Sequence, residues 1–261
     1  MGKGNPAMTL HIEAAGITHK GAVRENNEDC IAIGYWVSQE TMESARTFDH
    51  ALDLPFSCIV ADGMGGHNDG EQASLLVAKS LARRMPAFGP DKISSSVHAV
   101  NAELYAHVGE HPELAGMGST VVGLTVHDKS LTIFNVGDSR AYKLGERGPH
   151  RILMQLSTDD SMVQNWRPGA EFARSSMLTQ CFGGRPTFTD IEPNMLVEPC
   201  VPGSIYLLCS DGLYETLAEE RMAELIGADL QASAEALLRA ALDLHARDNV
   251  TVALVRVSER A

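Results

Sequence analysis

Three apolar runs in this chain meet an aspartate. Cys58-Ile59-Val60-Ala61 leads into Asp62-Gly63, Leu207-Leu208-Cys209-Ser210 leads into Asp211-Gly212, and Asp248-Asn249 stands directly before Val250-Thr251-Val252-Ala253-Leu254. Short continuous apolar runs of this kind read as buried strands. An ionised carboxylate at the rim of an apolar sheet is costly to desolvate and is normally paired or metal-bound. Several of them without a matching set of cations call for divalent ions. The sequence offers oxygen ligands only, with no HExxH and no Cys/His cluster of zinc spacing, which points to a hard cation such as Mg2+ or Mn2+. Taken singly, each Asp-Gly is better read as an ordinary turn or helix cap, and only the surrounding motifs turn the balance towards a metal site.

The 261 residues fit one large domain with ample material for a core. No stretch approaches 18 consecutive apolar residues, so a soluble globular protein without a membrane span is expected. The N-terminal Met1-Gly2-Lys3-Gly4-Asn5-Pro6 lacks the apolar core of a signal peptide and has Pro6 where a myristoylation signal wants Ser or Thr, which leads to a cytoplasmic expectation. Five cysteines, Cys30, Cys58, Cys181, Cys200 and Cys209, are scattered without a CxxC and read as reduced, mostly buried thiols. A net charge of -13 argues against nucleic acid and offers no basic tract for a membrane surface. It would also repel a phosphate dianion, so a phosphate-handling site here needs local cations, which bound metals would supply.

Apolar patterning predicts strands over 30–37, 56–61, 119–126, 131–136, 140–144, 204–209 and 249–257. Helical periodicity covers 71–85, 93–108 and 232–246. The helices cluster between groups of strands instead of alternating with them, which favours antiparallel sheets packed on each other with helices outside. The segments 147–158 and 167–176 read as the mobile loops.

Six motifs then follow in order: Gly21-Ala22-Val23-Arg24-Glu25-Asn26-Asn27-Glu28-Asp29, Val60-Ala61-Asp62-Gly63-Met64-Gly65-Gly66-His67, Gly116-Met117-Gly118-Ser119-Thr120, Asn135-Val136-Gly137-Asp138-Ser139-Arg140-Ala141-Tyr142, Leu208-Cys209-Ser210-Asp211-Gly212-Leu213 and Arg247-Asp248-Asn249-Val250-Thr251. Each alone is weak; together, over about residues 16–257, they closely resemble the metal-dependent Ser/Thr protein phosphatases of type 2C (the PPM family) in their bacterial form. The resemblance implies an α+β fold, a central sandwich of two antiparallel β-sheets flanked by α-helices, in one domain over 1–261 with a short flap at about 160–178. It implies a dinuclear Mn2+ or Mg2+ centre in which Asp62 bridges both ions, the Gly63 carbonyl completes one shell, and Asp211 and Asp248 hold the other ion. Glu28 and Asp29 would reach the centre mostly through water, Asp138 would serve a third, weaker ion, and Arg24 would clamp the substrate phosphate. The catalytic set is then Arg24, Asp62, Asp211 and Asp248.

Arg24 could instead be a surface arginine in a salt bridge, although its position in the motif and its forked guanidinium favour the clamp. His67 is better read as a solvated or capping histidine than as a proton donor, and Met64 stands where some eukaryotic members carry a histidine proposed as general acid. Ser139 and Ser210 lack a His-Asp arrangement and read as turn or supporting hydrogen-bond groups. Trp36 and Trp166 read as packing residues, with Trp166 in the flap. The chain departs from the family at Asp159-Asp160-Ser161, where relatives usually have Asp-His-Ser, and the flap is trimmed.

The expected activity is hydrolysis of phosphoserine and phosphothreonine in proteins, opposing a Ser/Thr kinase that is itself a possible substrate, by a cytoplasmic monomer. A degenerate phosphoprotein-binding module is the alternative, although it should have lost the aspartates that are present. A nucleotide-binding reading of Gly63-Met64-Gly65-Gly66 fails because the spacing is not GxGxxG and regular βαβ alternation is absent.

Overall fold

The backbone is organised around one long antiparallel ladder, in which β1 (Thr9–His19) pairs along its whole length with β16 (Val250–Arg260), from Thr9↔Arg260 to His19↔Val250. The computed structural model describes residues 9–51, 55–65, 69–84, 90–163 and 176–260. The sheet built on that ladder runs β10 (His150–Gln155), β9 (Arg140–Arg147), β15 (Ile205–Cys209), β16, β1, β4 (Arg46–Ala51). The facing sheet runs β13 (Phe182–Gly183), β6 (Gly118–Ser119), β5 (Phe56–Met64), β7 (Val121–His127), β8 (Ser130–Val136), β14 (Asn194–Pro199). The hairpin of β2 (Asp29–Ile33) and β3 (Trp36–Ser38) joins it through β5. All of these pairings are antiparallel.

Alternating side chains sort the core into three layers, because successive residues of a strand point to opposite faces. Between the sheets, Ile12, Ile31, Val60, Leu124, Tyr206, Leu208 and Val255 are among the residues that interdigitate. The outer face of the first sheet is covered by α3 (Asp211–Tyr214), α4 (Glu219–Leu225) and α5 (Leu230–Asp243), whose Met222, Ala234 and Leu237 meet Ile17, Leu207 and Val252. The outer face of the other is covered by α1 (Asp69–Arg84) and α2 (Ile93–Glu110), which pack Val77, Leu81, Val97 and Leu104 on Ile59, Ala61 and Phe134. The result is the expected four-layer αββα sandwich. Gly16 permits the tight spacing between sheets, since a Cβ there would lie 2.6 Å from Ile31 Cδ1 and 2.7 Å from Ile33 Cδ1.

The element predictions hold for β5, β7, β8, β9, β15, β16, α1, α2 and α5; the edge strands β4 and β14 were not predicted, 119–126 spans both β6 and β7, and further differences have clear causes. The run 30–37 is a hairpin, not one strand, because Gly34 takes a φ of 57° and turns the chain. The segment 147–158 is not simply a loop: it contains β10, an edge strand whose single buried side chain, Leu153, leaves almost no alternation to detect. Strand β1 was missed, since Glu13, Ala14, Ala15 and Gly16 dilute its apolar signal and its burial depends on two neighbouring strands. Helices α3 and α4 are too short to show a period. Of the flap, β11 (Ser161–Val163) pairs with β12 (Ser176–Leu178); Trp166 and nearly all of the expected loop 167–176 lie outside the described residues.

Leu208 is fully buried between the sheets. Leu208→Ala should therefore lower the unfolding free energy by about 2–5 kcal/mol, the usual cost of a large-to-small change in a close-packed core, measured by urea denaturation with an unchanged m-value.

Candidate active site

The antiparallel pairing brings the aspartate-bearing ends of β5, β15 and β16 to one end of the sandwich. Asp62 and Gly63 lie in the last three residues of β5, Asp211 opens α3 two residues after β15, and Asp248 stands two residues before β16. With Glu28, Asp138 and Arg24 they line one cleft of about 710 Å3. Asp138 comes from the turn between β8 and β9 and is buried. Of the residues expected at the site, all except Asp29 line this cleft.

Asp29 lies behind it. Opposite Asp62 in the β2–β5 register, it is 1% exposed, and its Oδ2 accepts hydrogen bonds from Ser210 Oγ at 2.6 Å and Thr251 Oγ1 at 2.7 Å. Since the Thr251 hydroxyl proton is committed to Asp29, the 2.7 Å contact between Thr18 Oγ1 and Thr251 Oγ1 has Thr18 as donor, and Thr18 in turn accepts from Asn27 Nδ2 at 2.8 Å. This buried chain ties β1, β2, β15 and β16 together directly beneath the cleft. Ser210 thus supports a carboxylate, and Ser139 shares a 2.7 Å hydrogen bond with Thr120 Oγ1; neither is paired with a histidine.

The loop that carries Arg24 and Glu28 is held by Asn249. Its Oδ1 accepts from the Glu28 N–H at 2.8 Å, its Nδ2 donates to the carbonyls of Lys20 and Asn26 at 3.0 and 2.9 Å, and its own N–H donates to Asp248 Oδ1 at 2.8 Å. One buried amide therefore fixes the first motif against the last. Backbone crowding explains two of the glycines: a Cβ on Gly63 would lie 2.0 Å from the Gly70 carbonyl oxygen, and one on Gly212 would lie 2.0 Å from that of Asn249. The Asp-Gly pairs are therefore demanded by close chain approach at the cleft, which a simple turn reading does not require.

Charge is the dominant property of the site. Burial, followed by the fields of Asp211, Asp29, Asp248 and Asp138, raises the Asp62 pKa well above the carboxylate range. Burial and then Asp248 and Asp138 do the same to Asp211. Burial also raises Glu28 and Asp138. In Asp29, burial outweighs the two hydroxyl hydrogen bonds, and its pKa moves from 3.8 to about 7. Arg24 lies at the cleft mouth, half exposed, with Nη2 2.7 Å from Asp248 Oδ2. Burial disfavours its charge, but Asp248, Glu28 and Asp62 prevail and raise its pKa. Among the described residues no three acidic, His or Cys side chains form a ready-made ion cage; Asp248 is engaged by Arg24 and Asp29 by its hydroxyls. Two features therefore coincide here, an all-oxygen donor set and negative charge that the protein's own cations do not neutralise.

Met64 lines the cleft without a titratable group, and His67 lies outside the described residues. The position at which the family resemblance breaks has a clear role. Asp159 takes a bidentate ion pair from Arg140, at 3.1 Å through Nε and 2.6 Å through Nη2. Asp160 accepts from the Gly137 N–H at 3.0 Å and from Gln180 Nε2 and Asn194 Nδ2 at 3.1 Å each. It joins the foot of the flap to the turn that carries Asp138. The sequence reading missed Asn249, Thr251, Thr18 and Asp160 as site-building residues. The available signal was hydroxyl and amide residues inside or beside otherwise apolar strands.

The family model for Protein phosphatase 2C matches residues 48–245. The chain is 32% identical over 259 residues to the serine/threonine protein phosphatase PstP of Mycobacterium tuberculosis, a match that covers 96% of this chain and 46% of PstP. It is 28% identical over 256 residues to the serine/threonine phosphatase stp of Listeria monocytogenes, covering 91% of this chain and 93% of stp. The chain thus spans about half the length of PstP and nearly all of the Listeria protein. A crystal structure of the catalytic domain of PstP in complex with 2 manganese ions aligns with a TM-score of 0.76 at 31% identity, covering 96% of this chain and 100% of that one.

Because the Asp29 pKa is raised in the native state, folding retains a proton that the unfolded chain releases. The corresponding stability is complete below pH 3.8 and is lost as the pH rises through about 7. In EDTA-treated protein, the urea midpoint of wild type relative to Asp29→Asn should accordingly fall between pH 5 and pH 8. A difference that stays flat or rises across this window would show that Asp29 is ionised in the metal-free fold.

Proposed function

We propose, since the chain belongs to the protein phosphatase 2C family, that it hydrolyses phosphoserine and phosphothreonine in proteins, with Mn2+ or Mg2+ held by the cleft carboxylates. The observation that carries this reading is the convergence of Asp62, Asp211, Asp248, Glu28 and Asp138 on one cleft with a guanidinium at its mouth. The donors fit hard divalent ions: all are oxygens, and burial and mutual repulsion oppose the ionisation of Asp62 and Asp211 unless positive charge is supplied. In this reading Asp62, the Gly63 carbonyl, Asp211 and Asp248 would hold the two ions, and Asp138 would serve a weaker third. Glu28 sits at the cleft wall and acts through water; Asp29 acts from behind, orienting Ser210 and Thr251. Such ions supply a water acidic enough to attack phosphorus at neutral pH and offset charge on the phosphoryl oxygens.

The chain's own residues provide the rest. Arg24, oriented by Asp248, presents its remaining N–H donors to the phosphate as a planar fork that a lysine could not copy. Asn249 keeps Arg24 and Asp248 in register, so the geometry is set before substrate arrives. Met64 lines the cleft and has no proton to give; in this reading water would protonate the seryl or threonyl oxygen. The whole chain acts as one phosphatase domain with its core over 16–257 and a short flap at 160–178. Five free cysteines suit a reducing compartment, in keeping with a cytoplasmic monomer that opposes a Ser/Thr kinase. No helix among the described residues is long and apolar enough to cross a membrane. The complete set of Asp62, Asp211 and Asp248 speaks against a phosphoprotein-binding module without activity.

Turnover of p-nitrophenyl phosphate and of a phosphothreonine peptide should vanish with EDTA and return with Mn2+. Asp62→Asn, Asp211→Asn and Asp248→Asn should each lower kcat at least ~100-fold, with calorimetry showing lost Mn2+ binding and circular dichroism an intact fold. Full turnover by metal-free protein would refute the proposal. Arg24→Ala should raise KM and cost roughly 1.5–3 kcal/mol in kcat/KM, with only partial rescue by Arg24→Lys; unchanged kcat/KM on both substrates would place the phosphate clamp elsewhere.

A further inference from the structure

The wall of the cleft facing away from the aspartate-bearing strand ends is built by the chain around β12 and β13, which contributes Met177, Leu178, Cys181, Gly184 and Arg185. Among the described residues, Arg185 and Arg24 are the two cations lining the cleft, against five carboxylates. The two arginines are held differently. Arg24 is ion-paired to Asp248, whereas Arg185 donates from Nη2 to the Thr179 carbonyl at 3.2 Å and has no carboxylate partner among the described residues. It is exposed, so most of its guanidinium donors face solvent in the cleft.

Its base is rigid. Gly183 and Gly184 take φ values of 61° and 70° and are pinned from three sides: Gly183 N–H to Asn101 Oδ1 at 3.0 Å, Tyr105 Oη to the Gly183 carbonyl at 3.2 Å, and Gly184 N–H to the Met117 carbonyl at 2.8 Å. Thr179, which receives the guanidinium, is itself fixed by its N–H to the Asp160 carbonyl at 2.8 Å. A Cβ on Gly184 would lie 4.0 Å from Met64 Sδ, so the turn that launches Arg185 abuts the segment immediately following Asp62-Gly63. In a chain of net charge -13 carboxylates are abundant, yet none among the described residues pairs with this guanidinium, which leaves it able to attract an external anion.

We infer that Arg185 is a specificity-determining residue that binds a second anionic group of the phosphoprotein, a carboxylate or a phosphate within a few residues of the phosphoserine or phosphothreonine. This rests on the phosphatase reading above. A forked guanidinium can donate two parallel hydrogen bonds to either anion, and the apolar Met64, Met177 and Leu178 that line the same cleft would contact the intervening chain. The enzyme then favours acidic over basic surroundings despite its own negative charge, which repels acidic segments everywhere except at this wall.

The test uses Mn2+-loaded protein and phosphothreonine peptides that differ only in the neighbouring residues, carrying alanine, glutamate, a second phosphoserine or lysine, with p-nitrophenyl phosphate as a substrate that has no neighbours. Wild type should favour the glutamate and phosphoserine peptides over the alanine peptide by roughly 10-fold in kcat/KM, the scale of one charge-assisted contact. Arg185→Ala should abolish that preference with less than about 2-fold change on p-nitrophenyl phosphate, and Arg185→Glu should reverse it towards the lysine peptide. The glutamate and phosphoserine arms separate the two anion sources. Equal wild-type rates on all four peptides, or an Arg185→Ala loss of the same size on p-nitrophenyl phosphate, would overturn the inference. If wild type fails to turn over p-nitrophenyl phosphate with Mn2+, the phosphatase reading itself has failed, which is a separate result.

Discussion

Uncompensated negative charge at the common end of two sheets is the constraint around which this molecule is built. Asp62 and Asp211 are surrounded by apolar strands and by one another, and burial and repulsion both oppose their ionisation. A protein that needed only stability would replace such carboxylates with apolar residues, since paired or unpaired buried charge seldom improves on good packing. Their presence in the lining of a cleft is what the proposed function explains, with neutralisation left to an ion.

The scaffold tolerates this charge because a polar framework lies directly behind it. Asp29, Ser210, Thr251, Thr18 and Asn27 form a continuous buried hydrogen-bonded chain across four strands, and Asn249 adds a second clamp that satisfies four backbone or side-chain partners. Buried polar groups are inexpensive only when every donor and acceptor is met. Both devices also fix distances: the loop of Arg24 and Glu28 cannot drift from Asp248 without breaking the bonds of one amide.

The cleft has two walls of different character. The strand ends supply carboxylates on the most deeply buried part of the fold. The other wall comes from short strands and turns anchored through Asp160, Asn101 and Thr179. Asp160 links that wall to the turn of Asp138, so the chain's departure from the usual Asp-His-Ser lies where the two walls are tied together. In the proposed reading, chemistry resides on the first wall and discrimination among substrates belongs to the second.

The three strand-end aspartates of the cleft were legible in the sequence as apolar runs that meet an Asp, with no zinc-type ligands nearby, whereas Arg24, Glu28 and Asp138 were reached only through the resemblance of the ordered motifs. The longest helices and the strands β5, β7, β8, β9, β15 and β16 were legible too, through periods of 3.6 and 2 that depend on local pattern alone. Tertiary structure decided what periodicity cannot carry. Strand β1 is held by its neighbours β16 and β4 and not by its own apolar content. Asp29 and Glu28 are adjacent in sequence, yet only Glu28 reaches the cleft, since neighbouring side chains on an extended chain point in opposite directions. Asn249 and Arg185 acquire their roles from chain segments more than 80 residues away from some of their neighbours at the cleft. Composition sets which chemistry is available, while long-range pairing sets which atoms meet, because contact between distant segments depends on the packing of the whole sandwich.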